Sequence, residues 1–509
     1  MFEYFLSVFT VDTMLALGFA VVAGLVIGIL PGLSGTLAIA LATPMTFGME
    51  PIPALVMLTS FYTTATYGGS ITAILLSTPG TPSSAATAQE GYELTKQGRG
   101  LEAIGWSTVA SLCGGVFGGV MLLFVAPPLA RFSLRFSSPE YFMIALFGLT
   151  IIGSLAAENL VKGLAAGAFG LLVGIVGMDA NTAYARYTFG SMSLMSGIQM
   201  VPAMIGLFAI SQMLVHAERL GKPGGLDAGQ IEQGAVLSGR FLPSFSEFRR
   251  QFPLIVRASI LGLFIGILPG AGGDIGSWVG YNEAKRSTKD KSRFGRGAIE
   301  GVIGSESANN AVCGGAYIPL FTLGIPGSGA AAVLLGGLLI HGLHPGNQLF
   351  TKNAHIVYPI IFGYILANIL MCLVGVLIAR KCAKVAAMPL KLIIPGVIVL
   401  ATIGSYAINN SIFDIGVMLA FGGLGYIMRK SDFPTAPVVL GLILGPMAEK
   451  GLFGTVQMAR HQNVILYILG RPLCVFFAVL IVLSLFAPFV IRHMHRKSGA
   501  SHVELPMED

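Results

Sequence analysis

Apolar segments long enough to cross a lipid bilayer follow one another along most of this 509-residue chain. Lys and Arg together number 31 and Asp and Glu number 24, so that only 11% of the side chains are charged. A soluble domain has roughly 25% charged residues, and a soluble body with so few could not cover its surface with water-compatible groups. The composition therefore excludes soluble, disordered and collagen-like proteins. It predicts an all-α polytopic membrane protein with about 12 transmembrane helices.

The few charged residues are distributed as they are in membrane proteins. The formal net charge is +7, but the basic residues stand in short clusters between apolar runs. Since no basic stripe is interleaved with aromatic residues, we expect no nucleic acid partner. The first residues, MFEYFLSVFTVDTM, lack the basic stretch of a secretory signal and predict an uncleaved first membrane segment. The five cysteines form no CxxC pair, which is typical of small core residues.

One long polar stretch, residues 216–252, divides the chain into two halves of similar size. The halves share three sequence landmarks in the same order, which indicates an internal duplication. The matched landmarks are GILPGLSGT and GILPGAGGD, YGGSITAILLSTPGTPSSAAT and CGGAYIPLFTLGIPGSGAAAV, and GSLAAEN and GSYAINN. We predict a first transmembrane repeat over 1–215, a cytoplasmic linker over 216–252, a second transmembrane repeat over 253–491 and a cytoplasmic tail over 492–509.

Loops at matching positions of the two halves differ in charge. The first half has FGMEPIP (47–53), without a basic residue, where the second half has the strongly basic YNEAKRSTKDKSRFGRG (281–297). Basic loops stay on the cytoplasmic side, so matching loops are expected on opposite sides of the membrane, as in an inverted-topology repeat. An N-terminus in the periplasm and a C-terminus in the cytoplasm agree with this topology, whereas Arg131 and Arg135 do not.

Pro-Gly pairs interrupt four of the apolar runs, two in each half. Proline removes a backbone donor and glycine permits left-handed backbone, so each pair predicts a broken or re-entrant helix. Such breaks survive in a membrane where protein buries them or where they line a wet cavity, and there helix N-termini can bind an anion. The predicted substrate-binding residues are Pro31, Gly32, Ser34, Gly35, Thr36, Gly68, Gly69, Ser70, Thr78, Pro79, Gly80, Thr81, Pro269, Gly270, Gly272, Pro326, Gly327 and Ser328.

Carboxylate and amide side chains stand in apolar surroundings in the second half. Asp274 follows the third break, and the segment GSESANNA places Glu306, Asn309 and Asn310 on one helical face. A carboxylate with two amides could hold Na⁺ through oxygen atoms or pass a proton, because intramembrane carboxylates are functional by default. We therefore predict that Asp274, Glu306, Asn309 and Asn310 couple transport to a cation. The alternative is that Glu306 caps a helix from a loop.

One enzyme-like pattern is weak. GLSG, with Ser34, resembles the serine motif of rhomboid proteases, and His341 or His344 could serve as a base, but the second half has GAGG at the matching place. No P-loop sequence GxxxxGK[ST] and no cluster of metal-ligating residues is present in the sequence. We therefore expect no enzyme, no catalytic or metal site and no cofactor. The energy would come from an ion gradient or from a separate subunit.

The order of these motifs closely resembles the large membrane subunit of the tripartite tricarboxylate transporters, the TctA family. The matching blocks run through most of residues 15–450 and depart mildly at Glu90 and Asn347, where the family commonly has Asp and Pro. They are LPGLSGT, YGGSITAILLSTPGTPSSAAT with EGY and KQGRG, LPGAGGD, FGRGAIEGVIGSESANNA, and LGIPGSGAAAVLLGGL with HGLHPG.

The resemblance implies a multi-pass subunit of the bacterial inner membrane. It further implies a small membrane subunit, a periplasmic substrate-binding protein that delivers the ligand, and import of tri- or dicarboxylates such as citrate with Na⁺ or H⁺. A passive anion channel built on the same broken helices is the alternative function.

Overall fold

The computed structural model describes residues 1–30, 32–155, 160–179, 182–220, 240–268, 272–378, 390–460 and 462–483. This part of the chain is helical almost throughout, and its only sheet is a short antiparallel pair, β1 (Gly177–Met178) and β2 (Ala185–Arg186). The helices of the first half are α1 (Phe2–Leu6), α2 (Val11–Ile29), α3 (Gly35–Ala42), α4 (Pro51–Leu76), α5 (Ala85–Lys96), α6 (Gly100–Phe132), α7 (Ser138–Leu155), α8 (Leu160–Gly174), α9 (Met192–Met195), α10 (Met200–Ile205) and α11 (Ser211–Leu220).

The second half is also almost entirely helical in its described residues. Its helices are α12 (Phe245–Ile267), α13 (Gly272–Ser287), α14 (Ile299–Leu323), α15 (Gly329–Ile340), α16 (Asn347–Thr351), α17 (Ala354–Ile378), α18 (Leu390–Asn409), α19 (Ile412–Lys430), α20 (Ala436–Ala459), α21 (Val464–Leu469) and α22 (Pro472–Leu483).

Eight helical segments of the described chain are long and apolar enough to cross a membrane. They are Val11–Ile29, Gly100–Arg135, Met200–Glu218, Phe245–Ile267, Ala354–Ile378, Lys391–Asn409, Ile412–Lys430 and Ala436–Ala459. The chain is therefore an all-α polytopic membrane protein, which confirms the predicted fold class. The total of about 12 spans stays a prediction.

Helices α4 and α14 form the centre of the molecule. They have 26 and 25 residues, and nearly all of those residues are buried although many are polar. The hydroxyl groups of α4 bond to carbonyls of their own helix, as Thr59 Oγ1 does to Leu55 O at 2.9 Å and Ser60 Oγ to Val56 O at 2.6 Å. Self-satisfied hydroxyls of this kind let a polar helix be buried at low cost.

The two central helices cross in opposite directions. Tyr317 donates to the Thr59 carbonyl near the start of α4, and Ser70 near its end donates to Glu306 Oε1 at 2.7 Å. Between these contacts, Thr63 donates to Asn310 Oδ1 at 3.3 Å. Between the outermost contacts the residue number in α14 falls from 317 to 306 as the number in α4 rises from 59 to 70, so the helices are antiparallel.

Glycines make the same close backbone contacts in both halves. A Cβ atom built on Gly80 would lie 2.2 Å from the Gly28 carbonyl oxygen, and one on Gly327 would lie 2.1 Å from the Gly266 carbonyl oxygen. Gly28 itself packs against α4, and Gly266 packs in the same way against α14. Only glycine allows backbones to approach this closely, so the repeated sequence landmarks correspond to repeated packing.

Further contacts join helices of the two halves. Gly170 of α8 packs against the Val438 carbonyl of α20, and Gly206, which follows α10, packs against the Met418 carbonyl of α19. Each contact thus joins a residue of the first half to a helix of the second half.

The predicted linker is only partly described. Helix α11 continues to Leu220, and α12 begins at Phe245 with a capping box in which Ser244 and Glu247 bond reciprocally. Residues 221–239 and the predicted tail, 492–509, lie outside the described residues. The predicted boundaries of the two repeats therefore stay predictions.

Candidate functional site

The first break separates α2 from α3. Helix α2 ends at Ile29, Gly32 has a φ of 78°, and α3 begins at Gly35. The Ser34 hydroxyl caps α3 by accepting from the Leu37 N–H at 3.2 Å. Pro31 lies outside the described residues. The break thus ends one helix and aims the N-terminus of the next into the protein.

The second break follows α4. Ser77 ends this helix in the left-handed conformation with a φ of 55°, and the Gly80 N–H returns to the Gly69 carbonyl at 3.1 Å. Thr81 and Ser84 then hydrogen-bond through their hydroxyl oxygens at 2.7 Å, just before α5 begins. The chain therefore folds back on α4 and starts a short helix inside the protein.

The fourth break resembles the second in that α14, like α4, ends in the left-handed conformation. Gly324 ends α14 with a φ of 73°, and Ser328 caps α15 by accepting from the Ala331 N–H at 3.1 Å. Gly272 begins α13 with a φ of 54°. Pro269 and Gly270, the centre of the third break, lie outside the described residues.

These helix starts surround one cavity of about 650 Å³. The N-terminal residues of α3, α13 and α15, and the short turn before α5, all line it. Its described lining consists of Gly32, Ser34, Gly35, Thr36, Tyr62, Thr66, Pro79, Gly80, Thr81, Pro82, Ser83, Ala85, Phe208, Gln212, Gly272, Gly273, Asp274, Ile275, Asn309, Ser328, Gly329, Ala330, Arg429, Pro434, Thr435 and Ala436.

The cavity wall contains a buried amide without a partner. Asn309 is completely buried, and neither Oδ1 nor Nδ2 of its side chain has a hydrogen-bond partner. A Cβ atom on Gly273 would lie 2.6 Å from Asn309 Oδ1, so the amide is next to the start of α13, which bears Asp274. Buried polar groups are normally hydrogen-bonded, so this amide is a candidate ligand for a solute in the cavity.

Glu306 lies outside the lining of the cavity. It is fully buried, and its carboxylate accepts hydrogen bonds from Ser70 at 2.7 Å, from Ser111 at 2.9 Å and from Thr87. Its position within α14 shows that it does not cap a helix from a loop. The carboxylate is held by hydroxyls of three helices of the first half, with no described basic residue within 4.0 Å.

The predicted residues thus fall into three groups. Of the predicted substrate and cation residues, those in the cavity lining are Gly32, Ser34, Gly35, Thr36, Pro79, Gly80, Thr81, Gly272, Ser328, Asp274 and Asn309. Those behind or beside the lining are Gly68, Gly69, Ser70, Thr78, Pro326, Gly327, Glu306 and Asn310. Those outside the described residues are Pro31, Pro269 and Gly270.

Several polar residues of the cavity are far in sequence from the breaks. Tyr62 donates to Ser328 Oγ at 3.1 Å and so joins α4 to the start of α15. Gln212 and Arg429 reach the cavity from α11 and α19. Tyr62 and Gln212 stand within apolar segments and Arg429 follows one, so the sequence around them carries no local signal of a binding site.

Glu90 connects the halves beside the basic loop. Its buried carboxylate accepts from Tyr281 at 2.7 Å and from the backbone N–H groups of Gly295, Gly297 and Ala298 at 2.6, 2.9 and 2.8 Å. Asp is common at this position in the family that the sequence resembles. Here both carboxylate oxygens of the longer Glu side chain have hydrogen-bond partners.

The enzyme-like pattern of Ser34 has a structural explanation, because the Ser34 hydroxyl caps α3. Among the described residues, no group of three or more His, Cys, Asp or Glu is placed to hold a metal ion. The geometry is thus a cavity at converging helix N-termini.

Comparison with known proteins identifies the family. The family model "Tripartite tricarboxylate transporter TctA family" matches residues 14–440. A protein of Agrobacterium vitis described as "Uncharacterized 52.8 kDa protein in TAR-I ttuC' 3'region" is 36% identical over 445 residues, 87% of each chain. A second from that organism, "Uncharacterized protein in TAR-II ttuC' 3'region", is 35% identical over 199 residues, 39% of this chain and 82% of its own. No solved structure matches. The chain belongs to the tripartite tricarboxylate transporter TctA family, a family of transport proteins.

Proposed function

We propose that the chain is the permease subunit of a binding-protein-dependent secondary transporter that imports tri- or dicarboxylates such as citrate with Na⁺ or H⁺. The observation that carries this proposal is the convergence of helix N-termini on one cavity that also holds the unpartnered Asn309 amide. A helix N-terminus carries roughly half an elementary positive charge and free N–H groups. Several of them around one cavity favour an anion with more than one carboxylate.

Cation coupling follows from the charge of Asp274. This carboxylate lines the same cavity, so in its ionised form it repels a carboxylate substrate. An Na⁺ or H⁺ at Asp274, with the Asn309 oxygen next to it, removes that repulsion, and the anion and the cation therefore bind together. Glu306 and Asn310, behind the lining, complete the proposed cation-coupling set.

Alternating access would use the two halves as inverted repeats. When the second and fourth Pro-Gly landmarks are aligned, Thr63 corresponds to Asn310 and Thr66 to Cys313. These corresponding residues contact each other, at 3.3 Å and 3.7 Å, in antiparallel helices. Contact between corresponding residues is expected at a two-fold axis, and an axis in the membrane plane exchanges the two sides.

The family supports the proposed setting, since its name is that of a tripartite transporter. We propose a small membrane subunit and a periplasmic substrate-binding protein as partners. The proposed location is the bacterial inner membrane, with the N-terminus in the periplasm and the C-terminus in the cytoplasm.

The proposal is tested with the chain and its two proposed partner subunits in proteoliposomes. Uptake of a panel of radiolabelled carboxylates, with citrate, succinate and acetate as members, should be saturable for at least one tri- or dicarboxylate. Acetate, with a single carboxylate, should be taken up poorly. The proposal would be contradicted if none of the tri- and dicarboxylates in the panel were transported. A passive channel remains the alternative, and accumulation against a gradient separates the two functions.

A further inference from the structure

We propose that Arg429 is the cationic residue that pairs with a carboxylate of the substrate in this cavity. The inference rests on the proposed function and deepens it. The helix starts at the Pro-Gly breaks supply only partial positive charges, and Arg429 supplies a full one. Among the described lining residues, only Asp274 and Arg429 have a formally charged side chain.

Arg429 is held in place without being neutralised. It stands in the last turn of α19, and its Nε–H donates to Ser211 Oγ at 3.1 Å. No described carboxylate lies within 4.0 Å of its guanidinium. The neighbouring Lys430, in contrast, pairs with Glu218 at 2.8 Å, and Tyr426 donates to the same carboxylate. The Glu218 carboxylate therefore pairs with Lys430 and not with Arg429. The guanidinium of Arg429 can face an anion in the cavity.

The support under Arg429 is closely packed and hydrogen-bonded. A π-helical segment, Gly206–Ile210, joins α10 to α11, and the Ser211 hydroxyl that accepts from Arg429 also donates to the Leu207 carbonyl. A Cβ atom on Gly425 would lie 2.9 Å from the Ser211 Cβ, so α19 and α11 are in close contact at this point. π-Helical segments often occur at functional sites. Phe208 of this π-helical segment and Gln212 of the first turn of α11 both line the cavity.

The chemistry of the substrate requires such a group. A carboxylate removed from water without a counter-charge is strongly unfavourable, and helix N-termini supply partial charges only. Because Ser211 uses the Nε–H, the two terminal nitrogens of the planar guanidinium remain to donate to a carboxylate. We infer that one carboxylate of the substrate binds at the helix starts and another at Arg429, which selects for anions with at least two carboxylates.

The test compares Arg429→Gln and Arg429→Lys with the wild type and with the matched control Lys430→Gln. Citrate is titrated against each purified full-length protein in lipid nanodiscs, and the shift of the melting temperature gives an apparent Kd and shows whether each variant is folded. We expect citrate to bind Arg429→Gln about ten- to hundredfold more weakly, which is the range for a lost hydrogen bond to a charged group. Arg429→Lys should lose less, and Lys430→Gln should remain within about twofold of the wild type.

A second ligand pair separates charge pairing from a structural effect. Butyrate is glutarate without one of its two carboxylates, so the ratio of their affinities measures what the second carboxylate contributes. This ratio should be large in the wild type and at least about threefold smaller in Arg429→Gln, because its partner is gone. Equal citrate affinity of the wild type and Arg429→Gln, or an unchanged ratio, would overturn the role of Arg429 but not the proposed function. A wild type that binds no tri- or dicarboxylate would overturn the proposed function itself.

Discussion

Glu306 has the most unusual environment of the acidic residues in the described part of the chain. Its carboxylate is fully buried in α14 and is surrounded by hydroxyl donors from the other half, Ser70, Thr87 and Ser111. Hydroxyls can both donate and accept, so they can follow a change in the charge of the carboxylate by rotating. In the proposed cation coupling, such rotation would accommodate the change of charge without moving the backbone.

We predict that Glu306→Gln removes the dependence of carboxylate uptake on the ion gradient, because an amide can neither bind a proton nor contribute a negative charge to Na⁺. The initial uptake rate in proteoliposomes should become the same with and without an imposed Na⁺ or pH gradient. The control is Glu93→Gln, a partly exposed carboxylate paired with Lys96 at 2.7 Å, which should behave as the wild type. Gradient-dependent uptake that survives in Glu306→Gln would exclude Glu306 from coupling.

At the residue scale the sequence predicted part of the cavity. The residues next to Pro-Gly pairs were accessible to prediction because a helix break has a local signature. Arg429, Gln212 and Tyr62 were missed because only the packing of distant helices brings them to the breaks. Glu306 and Asn309 were predicted to share a helical face, but only Asn309 is in the cavity lining. Residues three apart in a helix differ in direction by about 60°.

At the scale of the elements, close helix packing gives each break its shape. Gly80 and Gly327 fold back onto Gly28 and Gly266, with no space for a side chain between the backbones. The sequence motifs predicted that the helices break here. They did not predict which helix packs on the break, because that depends on contacts between segments distant in the chain.

We predict that Gly80→Ala and Gly327→Ala each lower the free energy of unfolding by about 1–3 kcal/mol, the typical range for overpacking. The added methyl group would meet backbone atoms, which cannot move aside as a flexible side chain can. The melting temperature of the purified protein, followed by size-exclusion chromatography after heating, measures the effect. Gly423→Ala is the matched control, since a Cβ atom there has no neighbour within 4 Å. Equal melting temperatures for all three variants would mean that the breaks are not tightly packed.

At the scale of the whole molecule, two similar halves cross at α4 and α14. Composition alone predicted a helical membrane protein, and the repeated landmarks predicted a duplication. The contact of Thr63 with Asn310 could not be predicted, because a sequence repeat does not say where the copies meet. The direction in which each half crosses the membrane stays a prediction from the charges of the loops.

We predict that cysteines introduced as Glu50→Cys and Asp290→Cys, in a background without native cysteines, are labelled from opposite sides of the membrane. Both positions are exposed, and they stand in matching loops, between α3 and α4 and between α13 and α14. A membrane-impermeant maleimide added to intact cells should label position 50 only, and position 290 should react after the membrane is opened. Labelling of both from one side would contradict the inverted repeat.

The most direct test of secondary transport is accumulation driven by an ion gradient alone. Proteoliposomes containing the chain and its proposed partner subunits receive an inward Na⁺ or H⁺ gradient while valinomycin and equal K⁺ hold the membrane potential at zero. We predict that radiolabelled citrate, or the carboxylate that the uptake panel identifies, rises inside to several times its outside concentration. Collapse of the gradient should release it. A substrate that only equilibrates, at the same rate with and without the gradient, would contradict coupled transport and support a passive channel.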